Sequence, residues 1–291
     1  MITYNDIQIY INHTCDLACP GCITFNNLNW EHHFSFEELE PELNKWPQKV
    51  KFNEIFLLGG EPLLHPELKK WMLWVEQAWP DSLKHITTNG RHIHKLDDIY
   101  PDWDKKWKLE ISTHSKNDYN TAKSYIDKKW SSVDIETVIH PEAVDAYKKH
   151  VIKKENKFKA ILSESWDFYN IHENVVFNNS HISWKKLNDP QEQWNKCPGK
   201  TCKYLLNGKL YQCPLQAIFP HLAKDFVIDE KYKHIVDQDF GCTADDFEEW
   251  NKSYYKPNSQ CSLCTWSDRV NILDDAKNKK VFVEKIQIIE S

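Results

Sequence analysis

Three cysteines near the start of the chain form the most specific chemical pattern in the sequence. Cys15, Cys19 and Cys22 have the spacing CxxxCxxC and follow an alternating apolar segment, residues 7–12, that predicts a β-strand. Thiolates are the usual ligands of iron–sulfur clusters, and three of them can hold three irons of a four-iron cluster. The fourth iron then stays open to a small molecule, as a catalytic site requires. A zinc site completed by His13, or a set of buried free cysteines, is the alternative.

A second group of ligand-type residues, Gly59-Gly60-Glu61-Pro62, follows another short apolar segment. Two glycines let a ligand approach the backbone, and the carboxylate beside them can bind an ammonium group. The alternative is a tight strand-to-helix turn with Glu61 near the helix N-terminus. Polar groups at residues 86–90 and 111–114 also end predicted strands. Because ligands bind at the carboxyl ends of parallel strands, we expect all these groups at one edge of a sheet.

The elements that must position these groups alternate between strand and helix patterns. Strands are expected at residues 7–12, 53–58, 85–88, 107–113, 133–139 and 158–162, and helices at residues 66–79, 119–129 and 141–151. This order predicts an α/β fold with a parallel sheet or barrel. The alternation stops near residue 165 and cysteines return at Cys197, so we predict two domains, residues 1–185 and 186–291.

Composition excludes several classes of protein. The 291 residues are 41% apolar and 13% aromatic, enough for a sizeable core, and a net charge of −6 makes a nucleic-acid role unexpected. The N-terminus has neither a basic nor an apolar signal region, and no apolar run approaches the roughly 20 residues of a membrane span. We therefore expect a cytoplasmic protein with no membrane partner. Reduced thiols there favour metal binding or catalysis over disulfides.

In their order along the chain, the four N-terminal groups resemble the motifs of the radical S-adenosylmethionine (SAM) superfamily, over about residues 5–165. The resemblance implies a partial (β/α)6 TIM-like barrel. It also implies that Cys15, Cys19 and Cys22 ligate a [4Fe-4S] cluster whose open iron binds SAM. The cluster would accept an electron and cleave SAM to a 5′-deoxyadenosyl radical, which abstracts hydrogen from a substrate. A flavodoxin- or ferredoxin-type protein is the implied electron donor.

The same resemblance implies which residues contact SAM. Glu61 and the Gly59–Gly60 backbone are expected to face its amino group, and the rest of SAM is expected to contact Ser112, Thr88 and Asn89. One position departs from the family pattern. Gly21 stands where the family usually has an aromatic residue near the adenine, and Phe25 is our candidate for that contact.

A second group of cysteines lies in the C-terminal part of the chain. Residues 204–206 and 209–211 predict a β-hairpin with Asn207-Gly208 as its two-residue turn, and Cys261-Ser-Leu-Cys264 follows far downstream. Over about residues 190–270 this pattern resembles the twitch domain, a shortened SPASM domain that binds one auxiliary [4Fe-4S] cluster. The implied ligands are Cys197, Cys213, Cys261 and Cys264, with Cys202 as the alternative to Cys197. Structural zinc in the same four-thiolate pocket is the competing hypothesis.

Cys202 and Cys242 remain outside both predicted clusters. Most such cysteines are small buried hydrophobes. The alternative is that one of them donates a hydrogen atom to a substrate radical, and Cys242 is the candidate catalytic residue.

Two enzyme functions fit this pattern. One is dehydrogenation or rearrangement of a small polar molecule, and the other is epimerisation or cross-linking of a ribosomally made peptide. The chain reaches its cluster motif by Cys15, which leaves no room for a leader-binding domain ahead of it, so we expect the small molecule. A zinc-stabilised, non-enzymatic interaction module is the contrasting hypothesis, because it explains the C-terminal cysteines. It does not explain Gly-Gly-Glu-Pro.

Overall fold

The computed structural model describes residues 1–19, 22–28, 30–130, 133–140, 147–155, 157–164, 167–168, 174–178, 181–265 and 270–271. The chain forms two compact units. The first consists of Met1–Asp16 and Glu31–Asp167, and the second consists of Leu17–Trp30 and Phe168–Ser291. Cys15 therefore belongs to the first unit, whereas Cys19 and Cys22 belong to the second. The division at residue 185 stays a prediction.

The first unit is built on a sheet whose strands follow the order β1-β2-β3-β4-β7-β6-β5. These strands are β1 (Ile2–Tyr10), β2 (Val50–Leu58), β3 (Leu83–Thr88), β4 (Trp107–Thr113), β5 (Asp134–His140), β6 (Tyr147–Lys154) and β7 (Lys157–Glu164). A short strand, β8 (Asp167–Phe168), lies at the boundary between the units. The helices of the first unit are α1 (Phe36–Leu43), α2 (Leu68–Ala78), α3 (Lys95–Ile99) and α4 (Lys116–Lys129).

Five strands of this sheet, β1, β2, β3, β4 and β7, run parallel to one another. Most of their apolar side chains are buried, as Ile55, Leu109 and Leu162 illustrate with 0% exposure. Helix α2 buries Leu68, Met72 and Val75, which recur at helical spacing as the sequence predicted. The helix begins at Leu68, two residues after Pro66. The carboxyl ends of the five parallel strands lie at one edge of the sheet.

The predicted helix over residues 141–151 is wrong where it reaches the described part of the chain. Residues 147–151 belong to strand β6, which pairs antiparallel with both β5 and β7. Residues 141–146 lie outside the described residues. Only two residues separate the last residue of β6, Lys154, from Lys157 of β7. Such a short connection can join antiparallel strands, but parallel strands need a crossover of a dozen residues or more.

This correction changes the predicted architecture of the first unit. The expected fifth strand, β5, does not follow β4 in the sheet but lies at the far edge, beyond β7 and β6. The adjacent β-branched residues Val151 and Ile152 favour a strand, and Ile152 is fully buried opposite Ala160. The described fold is therefore a mixed α/β sheet with five parallel strands and an antiparallel edge, rather than six parallel strands.

The second unit contains strands β9 (Val175–Asn178), β10 (His181–Trp184), β11 (Tyr204–Leu206), β12 (Lys209–Tyr211), β13 (Val227–Ile228) and β14 (Val270–Asn271). Its helices are α5 (Pro190–Lys196), α6 (Pro214–Asp225), α7 (Glu230–Val236) and α8 (Phe247–Ser253). Strands β13, β10 and β9 form a small sheet, and α6 buries Ile218, Phe219 and Leu222.

The predicted hairpin is confirmed at both strands and at its turn. Strands β11 and β12 pair antiparallel from Tyr204 opposite Tyr211 to Leu206 opposite Lys209. Asn207 and Gly208 both have positive φ angles, 51° and 76°, as a two-residue hairpin turn requires. None of the helices in the described residues is long and apolar enough to cross a membrane.

Candidate active site

The carboxyl edge of the parallel strands carries the N-terminal residues that the sequence singled out. Strand β2 ends immediately before Gly59, and β3 ends at Thr88, immediately before Asn89. Ser112 is the last residue but one of β4 and is half-buried, opposite Ser163 of β7. Because these strands are parallel, the Gly-Gly-Glu group, the Thr88–Asn89 pair and Ser112 lie along one edge of the first unit.

Glu61 is the centre of a hydrogen-bond network at this edge. Its side chain is fully buried, and Oε1 accepts hydrogen bonds from the Thr88 hydroxyl at 2.7 Å and the Leu63 N–H at 3.0 Å. Oε2 accepts a hydrogen bond from the Asn89 N–H at 2.8 Å. Burial raises the pKa of Glu61 to about 7, although these hydrogen bonds favour the charged carboxylate. The sequence assigned Glu61, Thr88 and Asn89 to separate parts of SAM, whereas the structure brings all three together.

The glycine pair accommodates the segment that leads to Cys15. A Cβ atom on Gly60 would lie 2.3 Å from the Thr14 carbonyl oxygen, and one on Gly59 would lie 2.0 Å from Asn12 Oδ1. The Gly60 N–H donates to the Asn12 carbonyl at 2.7 Å, and the Glu61 N–H donates to the Thr14 carbonyl at 2.8 Å. The sequence predicted that the glycines allow a ligand to approach. The contact that the structure describes is with the chain itself.

Asn12 is a positioning residue that the sequence analysis missed. It is fully buried, and its Nδ2 donates to the Glu61 carbonyl at 3.0 Å and to the Thr14 carbonyl at 3.1 Å. The side chain therefore joins the Gly-Gly-Glu group to the segment before Cys15. Its place between a strand and the first cysteine was a signal that could have drawn attention to it.

Asp16, which directly follows Cys15, ties the cysteine motif to the loop after β3. Its Oδ1 accepts a hydrogen bond from Asn89 Nδ2 at 2.8 Å, and its Oδ2 lies 3.1 Å from His92 Nε2. Arg91 Nη1 donates to the Asp16 carbonyl at 3.2 Å, and Arg91 Nε donates to Asp118 at 2.8 Å. These contacts fix the backbone at Cys15. The sequence analysis missed Asp16 and Arg91, because their pairing depends on the fold.

The predicted adenine contact falls on residues of the second unit. Phe25 has a positive φ of 59° and is 2% exposed. Its ring lies 6.3 Å from the rings of both Phe177 and Phe219, so it packs in the core of the second unit. Gly21 lies outside the described residues. The contact between Phe25 and an adenine stays a prediction.

Four cysteines of the second unit line one pocket: Cys197, Cys213, Cys261 and Cys264. Cys197 ends helix α5, Cys213 is the N-cap of α6, and the other two lie in and directly after the 3₁₀ turn Ser259–Leu263. Cys202 does not line this pocket. The pocket thus brings together the four cysteines that the sequence predicted, from three separate segments of the chain.

The thiols of this pocket are hard to ionise in the absence of a metal. Burial raises the pKa of Cys197 to about 11, and it raises the pKa values of Cys213, Cys261 and Cys264 as well. Negative charge on the neighbouring thiolates raises the pKa of Cys264 further. A metal ion or cluster that replaced the four thiol protons would offset the free-energy cost of ionising these buried thiols. Among the residues that the structure describes, no three His, Cys, Asp or Glu side chains are arranged to hold a single metal ion.

The remaining cysteines differ in their surroundings. Cys15, Cys19 and Cys22 are half-buried, as is Cys202. Cys242 is 4% exposed, and its backbone pairs with Leu210 of β12 through two hydrogen bonds of 2.9 Å. Burial raises the pKa of Cys242 to about 12, so its thiol stays protonated at neutral pH. It does not line the four-cysteine pocket, and its role as a hydrogen-atom donor stays a prediction.

Comparison with known proteins gives one relative by sequence and partial likenesses by structure. No family model matches the chain. Over 90 residues, it is 29% identical to the GTP 3′,8-cyclase of Nautilia profundicola. The match covers 30% of this chain and 28% of the cyclase, so it spans little more than a quarter of the relative. This similarity supports the resemblance to radical SAM enzymes.

Two solved structures match part of the chain. BtrN in complex with AdoMet and 2-DOIA is 18% identical, with a TM-score of 0.29 over 40% of this chain and 51% of BtrN. Streptococcus suis SuiB bound to S-adenosylmethionine is 22% identical, with a TM-score of 0.31 over 38% of this chain and 25% of SuiB. TM-scores this low support no conclusion about either fold or function.

Proposed function

We propose that this chain is a radical SAM enzyme with an auxiliary iron–sulfur cluster. One observation carries the proposal: hydrogen bonds join three groups at the carboxyl edge of the parallel strands. These groups are Gly59–Gly60–Glu61, Thr88–Asn89 and the segment leading to Cys15. Ligands bind at this edge in parallel α/β folds. The similarity to the cyclase lends independent support.

The residues present suit the groups that this function needs. Cys15, Cys19 and Cys22 are three half-buried thiols that would hold a [4Fe-4S] cluster and would leave one iron without a protein ligand. When bound, the cluster would supply the electron for reductive cleavage of SAM, which yields a 5′-deoxyadenosyl radical. Glu61 and the backbone at Gly59 and Gly60 would hold the SAM amino group.

The chain itself positions the segment around Cys15 and the carboxyl group of Glu61. Asn12 and Asp16 hold the backbone on either side of Thr14 and Cys15 through the contacts at the sheet edge. Glu61 is fully buried, and a cationic amino group beside it would lower its pKa and favour the carboxylate. Its three donors, Thr88, Asn89 and Leu63, keep the carboxyl group in one orientation.

The auxiliary cluster is proposed for the four-cysteine pocket, with Cys197, Cys213, Cys261 and Cys264 as its ligands. The support is that all four line one pocket whereas Cys202 does not. Four thiols suit a [4Fe-4S] cluster and also suit structural zinc. Metal analysis distinguishes the two.

The substrate is proposed to be a small polar molecule, from which hydrogen is abstracted for a dehydrogenation or rearrangement. The relative's name supplies the support, because a GTP 3′,8-cyclase acts on a nucleotide, which is small and polar. A flavodoxin- or ferredoxin-type electron donor is proposed to reduce the enzyme. Modification of a peptide is the competing outcome. It is tested by asking which fraction of a cell extract, the low-mass or the peptide fraction, increases SAM consumption.

The decisive experiment is anaerobic reconstitution, followed by iron, sulfide and zinc analysis and an assay of dithionite-dependent 5′-deoxyadenosine formation. We expect about eight irons per chain and formation of 5′-deoxyadenosine. Cys19→Ser should lose about four irons and the product, whereas Cys242→Ala, the matched control for iron content, should keep about eight. Zinc without iron, and no cleavage of SAM, would show that the proposed function is wrong.

A further inference from the structure

The pocket lined by the four cysteines also contains a buried amide donor. Gln216, the third residue of α6, lines this pocket and is 2% exposed. Its Nε2 has no hydrogen-bond partner among the described residues. Buried polar groups in native proteins are nearly always hydrogen-bonded, and an unmet donor costs about 1–3 kcal/mol. The pocket should therefore hold an acceptor for this amide.

Gln260 also lines this pocket and has a side-chain atom without a hydrogen-bond partner among the described residues, but it does not accept a hydrogen bond from Gln216. Gln260 is 1% exposed, and its Nε2 donates to the carbonyls of Ile235 at 3.2 Å and Gln238 at 2.7 Å. These contacts fix the orientation of the amide. Its Oε1 also lacks a partner among the described residues, so Gln216 and Gln260 do not bond to each other. The other side-chain acceptors that line the pocket are the Gln193 amide and the four cysteine sulfur atoms, together with any group that those sulfurs bind.

We propose that the Gln216 amide donates a hydrogen bond to a sulfur atom of the auxiliary cluster and thereby raises the reduction potential of that cluster. This inference rests on the proposed function, because it requires a cluster in the pocket. Hydrogen bonds to cluster sulfurs are one of the ways in which a protein sets this potential. The reduced cluster carries one more negative charge than the oxidised cluster, so a donor stabilises the reduced state more.

The start of helix α6 acts in the same direction. Cys213 is the N-cap of this 12-residue helix, so the backbone N–H groups of the first turn, including those of Leu215 and Gln216, lie next to it. Backbone donors at a helix N-terminus favour negative charge. Gln216 thus supplies both a backbone and a side-chain donor to the same pocket, and only the side-chain donor is removed by substitution.

The test is a redox titration of the auxiliary cluster that is monitored by electron paramagnetic resonance. The full chain carries Cys15→Ala, Cys19→Ala and Cys22→Ala, so that the N-terminal cluster does not contribute to the signal. Gln216→Met removes the donor and keeps a similar volume. We expect a more negative midpoint potential, with about a tenfold lower ratio of reduced to oxidised cluster at a fixed potential. For a one-electron couple this corresponds to about 59 mV.

Gln212→Met is the matched control. Gln212 is also 2% exposed with an Nε2 that lacks a partner among the described residues, and it directly precedes Cys213. It does not line the pocket, so its substitution should leave the potential unchanged. Gln216→Glu is a second variant, to be used if the Gln216→Met protein does not retain the auxiliary cluster. It keeps the shape of the side chain but replaces the donor by a carboxylate, so the potential should again fall.

The outcomes separate this inference from the proposed function. An intact cluster whose potential is the same in wild type and in both Gln216 variants would overturn the inference alone, and the Gln216 amide would then donate to water. Equal shifts in the Gln212 and Gln216 variants would overturn it as well, since the effect would not depend on the pocket. Zinc or no metal in the wild-type pocket would overturn the auxiliary cluster and this inference together.

Discussion

At the scale of single residues, Glu61 shows burial and hydrogen bonding acting in opposite directions. Three donors surround its carboxyl group and favour the charged form, yet burial dominates and raises its pKa from 4.5 to about 7. In the unfolded chain the group ionises near its ordinary pKa. Between pH 4.5 and about 7, the folded chain therefore keeps a proton on Glu61 that the unfolded chain has lost. The contribution of this proton to stability is lost as the pH rises through about 7.

Substitution of Glu61 tests this pH dependence. Between about pH 5.5 and about pH 8, in the absence of SAM, wild type should lose about 2 kcal/mol of unfolding free energy relative to Glu61→Gln. The glutamine variant is expected to be less stable at low pH, because its amide cannot accept all three hydrogen bonds. Urea unfolding at several pH values measures the difference. Parallel pH profiles for the two proteins would contradict the raised pKa.

A second prediction concerns Asn12. Asn12→Ala removes the two hydrogen bonds from Nδ2 to the carbonyls of Glu61 and Thr14, so each of these carbonyls keeps only its backbone donor. We expect a loss of about 1–3 kcal/mol in the free energy of unfolding, together with lower iron retention after reconstitution. Asn53→Ala is the matched control, because Asn53 is exposed and its contact with Asn5 is 3.5 Å long. Equal stability of the two variants would argue against a positioning role for Asn12.

The sequence identified the residues of the site better than their contacts. The spacing of Cys15, Cys19 and Cys22 and the Gly-Gly-Glu group could be recognised because each is a short local pattern. The bonds of Glu61 to Thr88 and Asn89 join positions 27 and 28 residues apart. No local pattern predicts such contacts, since they depend on which strands become neighbours.

At the scale of elements, strands β1 to β4, helices α2 and α4 and the hairpin β11–β12 follow patterns that are visible in the sequence. Strand β6 does not, because Tyr147 and Val151 also fit the spacing of a helix face. Pairing with β5 and β7 decided its structure. The error at β6 is thus a case in which partners distant in the sequence outweighed a local pattern.

At Gly60 the chain after β2 approaches the backbone of the segment before Cys15 closely, and substitution of Gly60 should separate the two. A Cβ atom would lie 2.3 Å from the Thr14 carbonyl oxygen and 2.6 Å from that of His13, so the backbone before Cys15 must shift in Gly60→Ala. We expect a loss of about 1–3 kcal/mol in stability and fewer irons at the N-terminal site. Thermal unfolding and iron analysis measure both effects.

Gly199→Ala is the matched control for this substitution. Its Cβ atom would meet Cys197 Sγ at 3.7 Å and Pro214 Cδ at 4.0 Å, which are ordinary contacts. We therefore expect little change in its melting temperature. If Gly60→Ala is as stable as Gly199→Ala and binds as much iron as wild type, the close approach of the two backbones does not hold the motif.

At the scale of the whole molecule, the metal content of cysteine variants tests which residues form each site. Cys197→Ser should reduce the iron content from about eight to about four per chain, whereas Cys202→Ser should retain about eight. The reason is that Cys197 lines the four-cysteine pocket and Cys202 does not. Iron and sulfide analysis of the reconstituted proteins gives the result. The opposite pattern would exchange the roles of Cys197 and Cys202.

The four-cysteine pocket also has a consequence for the entropy of the unfolded chain. Its cysteines come from three segments, and more than 60 positions separate the first cysteine, Cys197, from the last, Cys264. A group bound to all four is a cross-link that closes a long loop, and such a constraint on the unfolded chain is worth about 4 kcal/mol in the chain-entropy model. The metal would therefore act as a covalent staple for the second unit. A chelator that removes it would make the unfolded ensemble larger, even where every native contact of the protein remained in place.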